Sequence, residues 1–401
     1  MNVNITPSVA CGEISAPPSK SVAHRLLICA ALAEGESIIE NIGANDDVSA
    51  TVECLRTLGA NIELSDGKAI VNGISNIARD EKRQFFCNES GSTLRFMIPL
   101  GLVFSRECQF TGKGRLMERP QTVYKELLHS KGCCFDMKDN VLYTGGELKS
   151  GVFELPGDVS SQFLTGLMFA LPLLDGDSEI VLTKKLESAP YVDITMGVLS
   201  EFGVIIEKNE NGFFIKGNQK YKSRSLTTEG DWSNAAFLDA FNLANGNVLV
   251  KGLVSDSFQG DKIYREFYKR LSEGTPETDI SQCPDLGPVL MVCALLKNGA
   301  TLKGTKRLKI KESDRAAAMA LELSKFGVQV EVGDDYVVIP DAIPHKPEKE
   351  IDCHNDHRIA MSLAVLCSVT GGELKGAQCV NKSYPDFFMD IKNLGIQYKI
   401  I

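Results

Sequence analysis

Two stretches of nine residues decide the fold: Leu199-Ser-Glu-Phe-Gly203-Val-Ile-Ile-Glu and Leu323-Ser-Lys-Phe-Gly327-Val-Gln-Val-Glu. Each has the pattern of an amphipathic helix end, then a glycine, then alternating strand residues. Glycine readily adopts the left-handed backbone with which many helices end. Each stretch therefore predicts a helix that ends at the glycine and passes directly into a strand.

The same element recurs along the chain, in five clear copies and a weaker sixth that ends at Gly274. The glycines of the clear copies are Gly59, Gly132, Gly203, Gly327 and Gly395. A second, more apolar helix precedes each copy, and these helices start near Ser19, Gly91, Ser160, Asp231, Asp285 and Asp356. One or two copies would be ordinary for any α/β protein, but five copies indicate an internal repeat.

Six units of this kind contain too many elements for a single core. We therefore predict an α/β fold of two domains with three units each, and a boundary in the stretch 220–230. The length of 401 residues agrees with more than one domain, since a domain usually has about 150 residues.

Composition and charge exclude several classes of protein. Apolar residues make up 43% of the chain and charged residues 24%, which is typical of a globular protein and excludes disorder. The net charge of −9 argues against nucleic acid as a partner. The 12 cysteines form no CxxC pair and no Cys/His set at metal spacing, so no metal site is predicted.

The sequence also lacks the marks of export and of membrane insertion. Residues 1–7 have no basic region followed by an apolar run, as a signal peptide would. No apolar run reaches the ~18 residues that span a bilayer. We expect a cytoplasmic protein with reduced thiols, and no membrane partner.

Polar and charged groups gather at the starts of the apolar helices. They are Lys20, Ser21, Arg25, Gly91, Ser160, Ser161, Gln162 and Arg358. Further basic groups stand at Arg119, Lys311, Arg315 and Lys382. Taken singly, each of these helix starts is better explained as a capped helix with solvated charges. Together they suggest helix N-termini and cations that bind phosphates or carboxylates.

Two carboxylates complete the set of candidate chemical groups. Asp285 begins the fifth apolar helix, where a plain N-cap is the alternative, and Glu312 lies between Lys311 and Arg315, where a surface ion pair is the alternative. An Asp and a Glu held near several cations could divide the roles of base and acid. No GxxxxGK[ST] sequence is present, which disfavours nucleotide phosphoryl transfer by that route.

The ordered set of these motifs resembles the 5-enolpyruvylshikimate-3-phosphate (EPSP) synthase family from residue ~15 to ~390. The motifs are Pro-Ser-Lys20-Ser21-x-x-x-Arg25, Glu-Arg119-Pro, Ser160-Ser161-Gln162, Asp285, Lys311-Glu312-Ser-Asp-Arg315, Asp356-His357-Arg358 and Lys382-Ser-Tyr-Pro. The resemblance implies two domains, each of three βαβαββ repeats, with the active site in the cleft between them. It also implies that the N-terminal segment joins the second domain, which gives domains of 20–228 and of 1–19 plus 229–401.

The reaction that the resemblance implies transfers the enolpyruvyl group of phosphoenolpyruvate to the 5-hydroxyl of shikimate 3-phosphate. Phosphate leaves after addition and elimination through a tetrahedral intermediate. The resemblance implies no cofactor, no metal and no macromolecular partner, so we expect a monomer whose partners are its two small substrates.

Roles for individual residues follow from the same resemblance. Those implied to bind shikimate 3-phosphate are Lys20, Ser21, Arg25, Ser160, Ser161, Gln162, Ser188, Asp285 and Lys311. Those implied to bind phosphoenolpyruvate are Lys20, Gly91, Arg119, Gln162, Arg315, Arg358 and Lys382. Asp285 is implied as the base and Glu312 as the acid, with Lys20 as a rival for part of the proton transfer.

Two positions depart from the family pattern: Glu89 and Arg307 stand where the family usually has Asn. The nearest rival function is UDP-N-acetylglucosamine enolpyruvyl transfer, which would place a reactive Cys in the loop 112–119; this loop has none. A rival of another class is a non-catalytic anion-binding protein, against which the complete set of site motifs argues.

Overall fold

The computed structural model describes residues 1–74 and 81–401. Its α-helices are α1 (Lys20–Leu32), α2 (Asp46–Leu58), α3 (Gly91–Phe104), α4 (Thr122–Ser130), α5 (Ser161–Ala170), α6 (Ala189–Glu201), α7 (Trp232–Leu243), α8 (Tyr264–Glu273), α9 (Gly287–Leu295), α10 (Arg315–Lys325), α11 (His357–Thr370) and α12 (Phe387–Asn393).

The strands of the first half are β1 (Val3–Thr6), β2 (Cys11–Ser15), β3 (Ala33–Glu34), β4 (Glu36–Glu40), β5 (Asn61–Ser65), β6 (Lys68–Asn72), β7 (Lys82–Phe86), β8 (Glu107–Thr111), β9 (Cys134–Lys138), β10 (Val141–Gly145), β11 (Val152–Leu155) and β12 (Ser178–Leu182). Those of the second half are β13 (Ile206–Asn209), β14 (Gly212–Ile215), β15 (Tyr221–Lys222), β16 (Ser225–Thr227), β17 (Asn247–Lys251), β18 (Glu277–Asp279), β19 (Ala300–Lys303), β20 (Glu331–Val332), β21 (Tyr336–Ile339), β22 (Ile351–Asp352), β23 (Gly372–Lys375) and β24 (Gln397–Ile400).

The chain divides into two compact units. Unit I is Lys20–Glu229, and unit II combines Met1–Ser19 with Gly230–Ile401. Each unit has its own core of buried apolar side chains. The break after Glu229 lies one residue from the predicted limit at 228.

Unit I contains three four-stranded sheets of one design. Their strand orders are β16-β4-β6-β5, β7-β8-β10-β9 and β11-β12-β14-β13. In each sheet the first pair is parallel and the next two pairs are antiparallel. A short parallel pair of β3 and β15 lies beside them.

Unit II repeats the same sheet design twice, in the orders β18-β19-β21-β20 and β22-β23-β1-β24. Parallel and antiparallel pairs follow the same sequence as in unit I. A parallel pair of β2 and β17 forms the remaining sheet. The predicted α/β class is confirmed, and five four-stranded sheets among the described residues have the design of the predicted βαβαββ repeat.

The glycines predicted to end the amphipathic helices have the predicted backbone in all five clear copies. Their φ angles are +108° at Gly59, +74° at Gly132, +79° at Gly203, +82° at Gly327 and +102° at Gly395. For the weak sixth copy the prediction is wrong, because Gly274 after α8 has φ 169°, an extended backbone.

The apolar helices begin at or within two residues of the predicted starts, and four of them have side-chain caps. Side chains of Ser90, Ser160, Asp231 and Asp356 accept hydrogen bonds from backbone N–H groups in the first turns of α3, α5, α7 and α11. Asp285 does not cap a helix: it lies in a 3₁₀ turn, Pro284–Leu286, that leads into α9. Its carboxylate is therefore available for other partners.

Among residues 1–74 and 81–401, no helix has both the length and the apolar character needed to cross a bilayer. The same residues contain no group of three or more His, Cys, Asp or Glu side chains arranged to hold a metal ion.

Candidate active site

Asp285 lies at the centre of a cluster of charges in unit II. One carboxylate oxygen, Oδ1, accepts from Lys311 Nζ at 3.1 Å and from Arg315 Nη1 at 3.0 Å. The other, Oδ2, accepts from Arg358 Nη2 at 2.8 Å. Burial by itself would raise the pKa of Asp285, but Arg358, Lys311 and Arg315 outweigh it and hold the pKa well below its usual value. The carboxyl is therefore ionised at neutral pH.

Arg315, the first residue of α10, connects three carboxylates although its side chain is only 1% exposed. Besides Asp285, it donates from Nη2 to Glu312 Oε2 at 2.7 Å and from Nε to Asp356 Oδ2 at 2.9 Å. Burial lowers the pKa of this guanidinium, yet the three carboxylates raise it above its ordinary value. A fork of N–H donors suits such multiple pairing better than a single ammonium would.

Sequence reasoning missed the role of Asp356. Its fully buried carboxylate caps α11 by accepting from Arg358 N at 3.0 Å, and it accepts from Ser313 Oγ at 3.0 Å as well as from Arg315. The motif Asp356-His357-Arg358 indicated a helix start, but only the fold shows that this cap also orients Arg315.

Two other predicted cations are held in the same unit. Arg358 Nη1 donates to Ser233 Oγ at 2.6 Å and to the Asp285 carbonyl oxygen at 3.2 Å. Lys382 Nζ donates to the carbonyl oxygen of Asn355, next to Asp356. The structure thus brings the predicted residues of unit II together. They pair directly with one another, except for Lys382, which contacts the backbone of Asn355 beside Asp356.

Asp261 is a second carboxylate of this region that the sequence did not single out. Its pKa is raised to about 6, mainly by burial and also by Asp285 and Asp231, while Arg358 and a hydrogen bond from Ser233 oppose the rise. An unfolded Asp has a pKa of about 3.9. The folded state therefore binds the Asp261 proton more tightly, and this contribution to stability, complete below about pH 4, is lost as pH rises through about 6.

We predict that Asp261→Asn raises the free energy of unfolding at pH 8, by at most about 3 kcal/mol, because it removes the cost of an ionised buried carboxylate. Urea denaturation followed by circular dichroism would measure the gain, which should shrink at pH 5. An equal gain at both pH values would show that ionisation is not its cause.

In unit I, Lys20 and Arg25 project from the first two turns of α1. Lys20 Nζ donates to Asp47 Oδ2 at 2.8 Å, a partner on α2 that the sequence analysis did not name. Arg25 Nε donates to Thr195 Oγ1 at 2.8 Å, and its other nitrogens donate to the carbonyl oxygens of Ser21 and Tyr191. Complete burial lowers the pKa of Arg25 to about 10, so it stays charged at neutral pH.

A second group in unit I surrounds Gln162 on α5. Its Oε1 accepts from Arg95 Nη1 at 2.6 Å and its Nε2 donates to Ser92 Oγ at 2.8 Å. A Cβ atom at Gly91 would lie 2.5 Å from Arg119 Nη1 and 3.7 Å from Gln162 Oε1. Gly91, Arg119 and Gln162 are therefore neighbours. The resemblance assigned all three to phosphoenolpyruvate but did not give the contacts between them.

All four predicted serines of unit I lie at helix starts, and Ser21 is the second residue of α1. Ser160 caps α5, and Ser161, the next residue, is buried. Ser188 is buried just before α6 with φ 56°, a left-handed backbone at a non-glycine residue. Such a backbone costs free energy and is found most often where a site needs it.

The structure shows what surrounds Glu89 and Arg307, the two residues that depart from the family pattern. The half-buried Glu89 packs against Gly114, where a Cβ would lie 2.6 Å from Glu89 Oε2. Arg307 is buried in unit II and donates to the carbonyl oxygen of Ser281, four residues before Asp285.

Comparison with known proteins agrees with the motif order. The profile of the EPSP synthase (3-phosphoshikimate 1-carboxyvinyltransferase) family matches residues 6–391. A 3-phosphoshikimate 1-carboxyvinyltransferase of Clostridium beijerinckii is 42% identical over 98% of this chain and 97% of its own length. The enzyme of the same name from Clostridium perfringens is 41% identical over 98% of each chain.

Solved structures show the same fold. An EPSP synthase structure from Acinetobacter baumannii superposes with a TM-score of 0.76, covers 100% of both chains and has 21% identical residues. With a family profile matched over almost the whole length and relatives above 40% identity, the chain belongs to the EPSP synthase family.

Proposed function

We propose that this protein is an enzyme that transfers the enolpyruvyl group of phosphoenolpyruvate to the 5-hydroxyl of shikimate 3-phosphate and releases phosphate. The names of its relatives support this reaction, which belongs to the shikimate pathway of aromatic amino acid biosynthesis. The observation that carries the proposal is the position of Asp285, held by three cations and linked through Arg315 to a second carboxylate, Glu312.

Phosphoenolpyruvate carries a carboxylate and a phosphate, so its binding requires several cations. Arg315, Arg358 and Lys382 in unit II are proposed to supply part of this charge. Lys20 and Arg119 in unit I are proposed to supply the rest of the charge, and the uncharged Gly91 and Gln162 are proposed to contact the substrate beside them. Guanidinium groups suit both anions because their paired N–H donors match two oxygen atoms.

Shikimate 3-phosphate is proposed to bind largely through unit I. Lys20, Ser21 and Arg25 begin α1, where the free N–H groups of the helix also favour an anion. Hydroxyl and amide groups come from Ser160, Ser161, Gln162 and Ser188, and unit II contributes Lys311 and Asp285 in this proposal.

The electrostatics of Asp285 suggest how the base becomes active. In the structure its pKa lies well below the usual value because three cations surround it. Anions of phosphoenolpyruvate would compete for Arg358 and Arg315, which weakens their pairing with Asp285. The pKa of Asp285 then rises toward that of a useful general base, and only when substrate is bound.

The proposed chemistry has two steps with balanced protons. In the addition, Asp285 takes the proton of the 5-hydroxyl, whose oxygen bonds to C2 of phosphoenolpyruvate while Glu312 protonates C3. In the elimination, Glu312, which the addition left ionised, takes a proton back from C3 as the C2–O bond to phosphate breaks, and the leaving phosphate takes up the proton that Asp285 holds. The cations stabilise the negative charge in both steps.

The close approach of Gly91 to Arg119 leads to a prediction. In Gly91→Ala the new methyl group would meet Arg119 Nη1 at 2.5 Å and displace it. We expect the KM for phosphoenolpyruvate to rise about tenfold, the loss of roughly one charge-assisted hydrogen bond, while the KM for shikimate 3-phosphate changes little. Steady-state kinetics with each substrate varied in turn would measure both values.

The matched control is Gly274→Ala. A Cβ at Gly274 meets nothing within 4 Å, and its extended backbone accepts any residue. Equal effects of the two substitutions, or an effect of Gly91→Ala on shikimate 3-phosphate alone, would contradict the proposed role of Gly91 and Arg119.

The decisive experiment for the function is an assay of phosphate release from phosphoenolpyruvate, without added metal, with either shikimate 3-phosphate or UDP-N-acetylglucosamine. We expect release with shikimate 3-phosphate only. Release with UDP-N-acetylglucosamine only would show that the sugar nucleotide, and not shikimate 3-phosphate, is the acceptor, although no Cys lies in the loop 112–119. No release with either acceptor would contradict the proposed function. The monomeric state and the cytoplasmic location stay predictions.

A further inference from the structure

A buried carboxylate outside the residues named so far contacts the segment that precedes α11. Glu322 on α10 is completely buried. Its Oε1 pairs with His354 Nε2 at 2.8 Å, and its Oε2 accepts from the backbone N–H of Asp352 at 3.0 Å. Lys325 Nζ, one turn along α10, lies 2.7 Å from the same Oε2. Both oxygens of Glu322 are thus engaged, as a buried carboxylate requires.

The contacted segment, 352–356, has an unusual backbone. His354 and Asn355 have φ angles of +50° and +51°, two consecutive non-glycine residues in the left-handed region. Asn tolerates this conformation better than His does. Local hydrogen bonds from His354 N to Asp352 Oδ1 at 2.7 Å and from Asp356 N to the Cys353 carbonyl at 2.9 Å close the turn. Glu322 holds this turn at two points, the backbone N–H of Asp352 before it and the side chain of His354 within it.

The turn carries groups of the candidate active site. The carbonyl oxygen of Asn355 accepts from Lys382. Asp356 orients Arg315, and Arg358 follows two residues later. A shift of the turn would therefore move Lys382, Arg315 and Arg358 together.

We propose that Glu322 and His354 are positioning residues, which act through the turn 354–355 to place Lys382, Arg315 and Arg358 for phosphoenolpyruvate. This inference rests on the proposed function, which assigns these cations to that substrate. Neither Glu322 nor His354 touches substrate in the proposal.

Titration of His354 makes the pair sensitive to pH. The hydrogen bond to Glu322 raises the pKa of His354; burial and Lys325 lower it, and the charges of Glu322 and Asp352 raise it. Below that pKa the bond joins a cation to an anion, whereas above it the imidazole is a neutral donor. Charge-assisted hydrogen bonds are the stronger ones. The turn is therefore held more firmly on the acidic side of the transition, and the raised pKa moves this transition above that of an ordinary histidine.

The test compares the wild-type protein with His354→Gln and His354→Leu between pH 6.5 and 9. The amide nitrogen of Gln reaches the place of Nε2 and donates without charge, whereas Leu does not donate. We expect the wild-type KM for phosphoenolpyruvate to rise about fivefold through the His354 pKa, measured by NMR of the imidazole. The Gln variant should show the high-pH wild-type value throughout, and the Leu variant a value about tenfold above the low-pH wild-type value.

Substrate ionisation is the same in all three proteins, so the Gln profile isolates the titration of His354. The KM for shikimate 3-phosphate should not change. Lys325→Met serves as a control, because it removes a half-buried partner of Glu322 and leaves both bonds to the turn intact. The Lys325→Met variant should show the wild-type dependence of the KM for phosphoenolpyruvate on pH, apart from a small shift of the His354 pKa.

Three results would overturn the inference: a KM step that persists in His354→Gln, a Leu variant with wild-type KM, or a Leu variant that loses only thermal stability. Absence of wild-type turnover would instead contradict the proposed function. The positioning role is then judged without substrate, from the amide NMR signals of Asn355 and Arg358. These should shift at the His354 pKa in the wild type but not in the Gln variant, and no shift would refute the role.

Discussion

Asp285→Asn is expected to lower kcat on the order of a thousand-fold, which is the usual contribution of a general base. The amide keeps the shape of the carboxyl group and one oxygen that can accept from Arg315 or Arg358, but it cannot take a proton. Fixed-time assays of phosphate release would measure turnover. Calorimetric titration with shikimate 3-phosphate would show that this substrate still binds to the variant.

An exposed carboxylate of the same unit provides the matched control. Asp334 pairs with Lys309 at 3.7 Å and its side chain is fully exposed. Asp334→Asn should therefore leave kcat unchanged. If Asp285→Asn kept more than a tenth of the wild-type kcat, Asp285 would not be the base, and Lys20 or Glu312 would have to take the hydroxyl proton.

Arg315→Met is expected to have the largest effect on stability, a loss of about 3–5 kcal/mol in the free energy of unfolding at pH 8. Met is also unbranched and occupies part of the same space, but it carries no charge. The substitution therefore leaves Asp285, Glu312 and Asp356 without the cation that joins them. Since the uncompensated carboxylates can take up protons, the loss should be smaller at pH 5. Urea denaturation at the two pH values would measure it.

Lys309→Met is the control for this substitution, because Lys309 makes an exposed ion pair in the same unit. Exposed pairs contribute little to stability, so no clear change is expected. A loss for Arg315→Met no larger than for Lys309→Met, or one that does not depend on pH, would contradict the central role of this guanidinium.

The parts of the fold that local sequence determines were predictable. A glycine after an amphipathic helix, or a Ser or Asp before an apolar one, marks a helix end through the backbone of one or two residues. For this reason the ends at Gly59 and Gly327 and the caps at Ser90 and Asp231 follow from the pattern. The same prediction is wrong at Gly274, because the chain leaves α8 with an extended backbone at this residue rather than a left-handed one.

The partners of the site residues were not predictable, since they come from distant parts of the chain. Asp47 pairs with Lys20 across 27 residues, and Asp356 pairs with Arg315 across 41 residues. In sequence, Asp47 is simply an acid in the first turn of a helix, and Asp356 is simply a cap. The resemblance supplied the residues proposed to bind substrate, but neither it nor the local pattern showed that Asp47 pairs with Lys20 and Asp356 with Arg315.

The place of β1 affects how the protein folds during synthesis. Strand β1, at residues 3–6, lies between β23 and β24, which are made only after residue 371. Unit I is one continuous segment and can complete its three sheets as soon as residue 229 has left the ribosome. Unit II must keep its first strand unpaired until β23 and β24 are made, and closing so long a loop slows folding. The order of synthesis therefore favours unit I as the first part to fold, with the final sheet of unit II as the last step.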